Sequence, residues 1–237
     1  TTPGSAPDTL TRSDWLQLAA ETPAGLAMLC TNNRWMMAPH LRLLTERLMD
    51  IATGKTQRLI VSMPPGHGKS TLVSHYGIVW MLGRFPELSV LLTSYEANFA
   101  AGWGRQCRDT LAMYGPQVFG VQPDPRVSRA DWWQVQGTKG KMLTAGSGGA
   151  ITGKRFDVCV CDDLVRNSSD AMSPTLRDKQ FDWFASTLYT RLEPGGRVII
   201  VMTRWHEDDI AGRLIAEARD GGEPWEVINL PALAGDD

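Results

Sequence analysis

Residues 59–71 read Leu59-Ile-Val-Ser-Met-Pro-Pro-Gly-His-Gly-Lys-Ser-Thr71, and this stretch decides the fold. An apolar run of strand length enters a loop with two prolines and two glycines. Gly68-Lys69-Ser70 then opens a segment whose apolar positions Leu72, Tyr76 and Val79 recur at helical spacing. Strand, glycine-containing loop and helix in this order make a phosphate-binding loop. Wrapping a phosphate requires small residues that let backbone N–H groups turn inward, a helix N-terminus behind them, an ammonium for the outer phosphates and a hydroxyl for Mg²⁺. Pro65, Gly66, His67 and Gly68 supply the cradle, Lys69 the charge and Ser70 the hydroxyl, with Thr71 completing the nucleotide-binding run. The general G-x-x-x-x-G-K-S/T form would place its first glycine at 63, where this chain has Met63.

Outward from the loop, short apolar runs alternate with longer helical segments. Residues 58–63, 89–94, 158–161, 197–202 and 225–230 read as strands, and 69–82, 96–114, 173–192 and 207–219 as helices. Such alternation predicts an α/β fold of the phosphate-loop NTPase type (ASCE/RecA-like), a mainly parallel central sheet flanked by helices. Residues 1–55 read as a helical segment leading into a core at 56–237. In it Leu41, Leu44, Leu48 and Ile51 share a face, and Thr53-Gly54-Lys55 makes the stop. Residues 115–155, rich in Gly, Pro and Trp with short β-like pieces at 132–136 and 141–144, read as an insertion or hairpin excursion. Ser173-Pro174 caps a helix, and Glu207, Asp208 and Asp209 suit the first turn of the last one.

Two further strand ends carry polar residues. Phe156-Asp-Val-Cys-Val-Cys-Asp162-Asp163 is a buried strand closing on adjacent carboxylates. With a phosphate loop upstream, Asp162 is expected to complete the metal site and Asp163 to polarise the attacking water. Val198-Ile-Ile-Val-Met202 ends in Thr203-Arg204-Trp205-His206. Ligands bind at the carboxyl ends of parallel strands, so Thr203 should reach the same crevice and sense the terminal phosphate.

Composition bounds the partners. The 237 residues carry 24 Lys+Arg and 26 Asp+Glu, yet from Arg105 to Asp157 there are eight basic and four acidic residues, leaving 16 and 22 elsewhere. A near-neutral total therefore does not exclude a polyanion. No apolar run approaches the roughly 18 residues that span a bilayer, so no membrane partner is expected. Four cysteines without paired spacing give neither a zinc site nor a disulfide framework, and a reducing, cytosolic setting is expected. Cys159 and Cys161, two apart on a strand, read as core side chains.

Three motifs together carry a family resemblance: Met-Pro-Pro-Gly-His-Gly-Lys-Ser at 63–70, Ile-Thr-Gly-Lys-Arg-Phe-Asp at 151–157 ahead of Asp162-Asp163, and Thr-Arg-Trp-His-Glu-Asp-Asp-Ile-Ala-Gly-Arg-Leu at 203–214. In that order they resemble the ATPase domain of the large terminase subunit of tailed bacteriophages, from about residue 35 onward. In that family a phosphate loop of the form P-P-x-H-G-K-S is common. The resemblance implies an ATP- and Mg²⁺-dependent motor that moves double-stranded DNA into a procapsid. It would work as a homo-oligomeric ring, commonly of five copies, on the portal protein, beside the small terminase subunit, in the cytoplasm of an infected bacterium. It assigns Lys69 and Ser70 to nucleotide phosphates and Mg²⁺, Asp162 to the metal, Asp163 to the position of the catalytic acid, which is Glu in most relatives, and Thr203 to coupling.

The resemblance also implies an arginine finger supplied by a neighbouring copy just before the metal-carboxylate strand. The common form sets that Arg before a Gly; here Thr152-Gly153 stands there, and Arg155 and Lys154 are the nearest candidates. Lys139 and Lys141 are the expected DNA contacts, and residues near Pro39-His40 the adenine contact. The ribonuclease-H-like nuclease of such subunits is expected to be absent from these 237 residues, and no DNA cleavage is expected of them. Two alternatives remain at this point: a helicase or translocase of superfamily 2, which would need a second RecA-like domain and a different tetrad from Asp162-Asp163-Leu164-Val165, and a non-catalytic ATP-binding module, favoured by Asp rather than Glu at 163.

Overall fold

The structure, a computed structural model, describes residues 10–151 and 153–231. Three helices lead in: α1 (Arg12–Glu21), α2 (Pro23–Cys30) and α3 (Pro39–Thr53). Each begins where the sequence provides a start. The Thr11 side chain accepts from the Asp14 backbone N–H while Asp14 answers the Thr11 N–H, and Thr22 caps α2 ahead of Pro23 in the first helical position. Helix α3 stops at Gly54, whose φ of 77° is the left-handed conformation a glycine adopts without Cβ strain. Leu41, Leu44, Leu48 and Ile51 are buried along its inner side, as their spacing predicts.

Eight strands form one sheet: β1 (Arg58–Ser62), β2 (Ser89–Ser94), β3 (Pro123–Ser128), β4 (Trp132–Val135), β5 (Lys141–Gly146), β6 (Phe156–Asp162), β7 (Leu192–Met202) and β8 (Glu226–Asn229). Their order is β3-β4-β5-β2-β6-β7-β1-β8, parallel from β5 to β8, with β3 and β4 antiparallel at one edge. Both faces are covered, so the central strands alternate between two cores. Leu59, Val61, Val90, Leu92, Val158, Val160, Ile199 and Val201 face one side. There they meet α1–α3, a π-helical turn (Thr71–Gly77) running into α4 (Ile78–Arg84), and α5 (Ala97–Val118). Ile60, Leu91, Cys159, Cys161, Val198 and Ile200 face the other. That side is covered by α7 (Pro174–Trp183), with its π-helical extension Phe184–Leu188, and by α8 (Ile210–Arg219), after a short α6 (Ser168–Met172). The two cysteines of β6 are fully buried small hydrophobes on one face.

The structure differs from two expectations. Residues 115–155 form no excursion from the sheet: α5 extends to Val118, and β3–β5 continue the sheet, β5 lying parallel to β2 from Ser89↔Lys141 to Ser94↔Gly146. Alternation explains it, since Met142 and Thr144 are buried against the α5 side while Lys141, Leu143 and Ala145 stay half-buried on the other. The acidic triplet sits before α8 rather than in its first turn. Asp209 is the N-cap, accepting from the Gly212 N–H at 2.9 Å, and Asp208 is held by Arg213 and Arg177, whose guanidinium groups keep its carboxyl well below the ordinary range.

Candidate active site at the strand ends

The carboxyl ends of β1, β6 and β7 lie side by side, and the polar residues that follow them converge. β1 continues one residue past its last regular pair: the Met63 N–H donates to the Met202 carbonyl at 3.2 Å. Met63 is therefore buried, extended strand, and needs none of the freedom a glycine would bring. The bend comes later, at Gly66 and Gly68, both at φ 79°. The His67 ring contacts the Pro65 carbonyl at 2.9 Å, and His40 Nε2 lies 3.1 Å from the His67 carbonyl. Thus α3's first turn braces the loop from outside, where an adenine-contacting segment was expected.

Lys69 is 6% exposed and its ammonium has two partners. Nζ donates to Thr203 Oγ1 at 3.2 Å and pairs with Asp163 Oδ2 at 3.1 Å. Thr203 in turn donates to the Met63 carbonyl at 3.3 Å, and its N–H donates to Asp163 Oδ1 at 2.9 Å. Asp163 has φ 43°, a left-handed conformation uncommon for a non-glycine residue. Its N–H donates to the Val201 carbonyl, and its own carbonyl accepts from Tyr95. The bend turns its carboxylate toward the lysine while the backbone stays tied to β7 and β2.

Asp162 is 1% exposed, and Ser70 Oγ donates to its Oδ1 at 2.9 Å. Oδ2 is buried without a hydrogen-bond partner. Burial and the neighbouring Asp163 charge push its pKa up to about 6, against the pull of the Ser74 and Ser70 hydroxyls and the Lys69 ammonium. A buried carboxylate with one oxygen unpartnered, beside a serine at a helix N-terminus, fits a divalent cation completed by a ligand's phosphates. Among the described residues no cluster of three or more His, Cys, Asp or Glu could cage a metal unaided. Sequence reasoning left two buried hydroxyls on this side of the sheet unmarked, Ser74 and Ser94. Their signals were a serine one helical turn after Ser70 and a polar residue ending the apolar strand β2.

The other candidates lie elsewhere. Lys154 and Arg155 precede β6, whose seven residues put them about 23 Å from its site end. Lys154 Nζ rests 2.9 Å from the centroid of the Trp132 ring, and its pKa is lowered by burial and by Lys141 and Arg129. Arg155 donates to the Leu192 carbonyl at 3.0 Å. Thr152, the other half of the motif's Thr-Gly, falls outside the described residues. Lys139 sits in the β4–β5 turn with its N–H on Glu87, while the charges of Lys141 and the exposed Arg129 act on Lys154. Beside Asp163, Tyr95, Ser147, Gly148, Leu164, Arg166 and Gln180 line an open cleft of about 340 Å³. Among the described residues, no helix is long and apolar enough to cross a membrane.

No curated protein matches the sequence. Among solved structures, the large terminase from a thermophilic bacteriophage is similar at a TM-score of 0.48, in complex with ATP-γ-S (12% identity) and with ADP (11% identity). Each match covers 78% of this chain and 44% of that one, so the chain spans less than half the length of those relatives. The family described as "Terminase large subunit, T4likevirus-type, N-terminal" matches residues 60–237, which include the phosphate loop, both strand-end carboxylates and Thr203. The match takes in about three quarters of the sequence, and the chain belongs to this family of terminase large subunits, with an α/β phosphate-loop fold and a mostly parallel sheet.

Proposed function

We propose that the chain is the ATP-hydrolysing motor part of a terminase large subunit and drives double-stranded DNA into a procapsid. The observation that carries this is the convergence of Lys69, Ser70, Asp162, Asp163 and Thr203 at three strand ends, in two adjoining hydrogen-bonded groups, Lys69–Asp163–Thr203 and Ser70–Asp162. Lys69 and the backbone of residues 65–71 bind the nucleotide phosphates, with Ser70 and Asp162 holding Mg²⁺. When bound, that cation neutralises charge on the outer phosphates. Lys69 exchanges its Asp163 partner for phosphate, which leaves Asp163 free to accept a proton from the attacking water. Thr203, bonded to both Lys69 and Asp163, senses the terminal phosphate and passes its loss to β7 and the 203–209 segment.

The remaining roles rest on family membership. Arg155, with Lys154 as the alternative, acts in trans as the finger, and the open cleft beside Asp163 leaves room for a side chain from a neighbouring copy. The copies work as a ring, commonly of five, on the portal, with the small terminase subunit, in the cytoplasm of an infected bacterium. Lys139 and Lys141 contact the DNA backbone. The test is phosphate release by the chain with Mg²⁺ and duplex DNA, alongside Asp163→Ala. Turnover that the substitution abolishes is expected. Equal rates in both proteins, at the level of uncatalysed hydrolysis, would leave only a nucleotide-binding module.

A further inference from the structure

Asp162 has unusual neighbours. Its carboxylate faces the α5 side of the sheet, the side of Val158, Val160 and Val201, and three serines lie on that side, Ser70, Ser74 and Ser94. Ser70 is the one already bonded, to Oδ1. Ser74 lies one turn further along, in the π-helical stretch Thr71–Gly77, close enough to pull the Asp162 carboxyl downward but without a well-formed hydrogen bond of its own. Ser94 ends β2. Since Thr93 pairs with Cys161, Ser94 is level with Asp162 on the adjacent parallel strand, about 4.8 Å away, and its side chain points to the same face. Both serines are 0% exposed, and Ser74 Oγ, Ser94 Oγ and Asp162 Oδ2 are all buried without partners.

Buried unpartnered oxygens are rare, because each carries the desolvation cost of a polar group without a bond to offset it. Here two buried hydroxyls, each with a proton to give, lie on the same side of the sheet as a carboxylate oxygen able to accept one, Ser74 near it and Ser94 level with it on the next strand. A buried carboxylate stays oriented and charged only when donors hold it, and its position decides whether it can serve a cation. Nothing else in the fold requires serine at these places: Ala in the π-helical turn or a β-branched residue at the end of β2 would fill a buried site without a stray hydroxyl.

We propose that Ser74 and Ser94 are positioning residues for Asp162, completing with Ser70 a collar of three hydroxyls that fixes the carboxylate for the divalent cation. Ser74, four residues after Ser70, lies on the same side of the π-helical stretch as Ser70. The inference rests on the reading above, that Ser70 and Asp162 hold a cation with the nucleotide.

The test measures binding, not turnover. Mn²⁺ affinity in the presence of ADP is read by electron paramagnetic resonance for the wild type and for Ser74→Ala/Ser94→Ala, and ADP affinity without a divalent cation is measured in parallel. The expected result is a loss of Mn²⁺ affinity of about tenfold or more, an unchanged cation-free ADP affinity, and recovery of much of the loss in Ser74→Ala combined with Ser94→Thr. Mn²⁺ affinity within twofold of wild type in the double variant overturns the proposal while leaving the nucleotide reading intact. No Mn²⁺ binding by the wild type with ADP defeats both. Should the double variant unfold, the single Ser94→Ala and Ser94→Thr proteins carry the comparison: a loss in the first that the second restores supports the role, and equal affinities overturn it.

Discussion

Lys69 Nζ lies 3.1 Å from Asp163 Oδ2, so the loop's cation is paired with the carboxylate proposed above as the base. The lysine is buried and the aspartate about one-third exposed, which makes the pair a local competitor for any phosphate entering the loop.

That competition separates binding from chemistry. Asp163→Asn removes the competing charge and keeps the side chain's size and its acceptor toward the Thr203 N–H. ADP and ATP-γ-S should bind it as tightly as wild type or a few-fold more tightly by calorimetry, while turnover falls by about 10²–10⁴-fold with loss of the base. Lys69→Met should weaken both nucleotides and abolish turnover. Weaker nucleotide binding by Asp163→Asn would show that the ion pair orders the loop rather than competing for its lysine.

Thr203 spends its hydroxyl on both sides of the crevice, accepting from Lys69 and donating to the Met63 carbonyl. Thr203→Val keeps the shape and removes both bonds, at a cost of about 1–3 kcal/mol for the groups left unpaired. The expected protein retains nucleotide affinity within a few-fold and some hydrolysis but loses DNA-stimulated turnover, and Thr203→Ser restores it. Full DNA stimulation in Thr203→Val would remove Thr203 from the coupling path.

The meeting of Lys69, Asp162 and Thr203 could be expected from the sequence because each ends or follows an apolar strand or its turn. Which ends lie adjacent is a matter of strand order. The order β2-β6-β7-β1 brings Ser94 beside Asp162 and Asp163 beside Thr203, and no spacing along the chain encodes it. Strand β3 was missed because Pro123 and Pro125 mark a loop by composition, whereas at a sheet edge a missing N–H can face outward. Strand β5, next but one to it, read as an excursion because one face is half-exposed, diluting the apolar run expected of an inner strand.

Arg155 stands at the amino end of β6, with its guanidinium on the Leu192 carbonyl. About 23 Å along β6 from the site end of its own chain, it can serve a site only in a neighbouring copy. Assembled rings of Arg155→Ala should turn over at least about 10³-fold more slowly than wild type. Mixing Arg155→Ala with Asp163→Asn subunits should recover part of the rate, since some interfaces then combine an intact Arg155 with an intact Asp163. Wild-type turnover in the uniform Arg155→Ala ring ends this assignment and moves attention to Lys154.

Lys154 rests on the Trp132 ring at the half-buried face of β4 and β5, with the Lys141 and Arg129 charges close enough to lower its pKa, and Arg129 pairs with Asp131. A local excess of cations suits a phosphate backbone. Lys139→Ala combined with Lys141→Ala should weaken duplex binding across sequences and lower the slope of log K against log salt by about 0.9 for each lost contact. An unchanged slope places the DNA path on another surface.

His75 sits in the π-helical turn behind the phosphate loop, stacked on Tyr76 at 4.3 Å, with Nε2 2.8 Å from Thr110 Oγ1 and Trp103 beyond. Burial drives its pKa from 6.5 down to about 4, so the folded protein holds the ring neutral. The unfolded chain binds a proton between those values and the folded chain does not. The stability this contributes is therefore fully present above pH 6.5 and is lost as the pH falls toward 4, by at most about 3 kcal/mol. Denaturant midpoints between about pH 7.5 and 4.5 should fall more steeply for wild type than for His75→Phe, which keeps the stacked ring but cannot protonate. Parallel curves would mean that carboxylates alone set the acid limit, and that the helix behind the loop tolerates a charged imidazole.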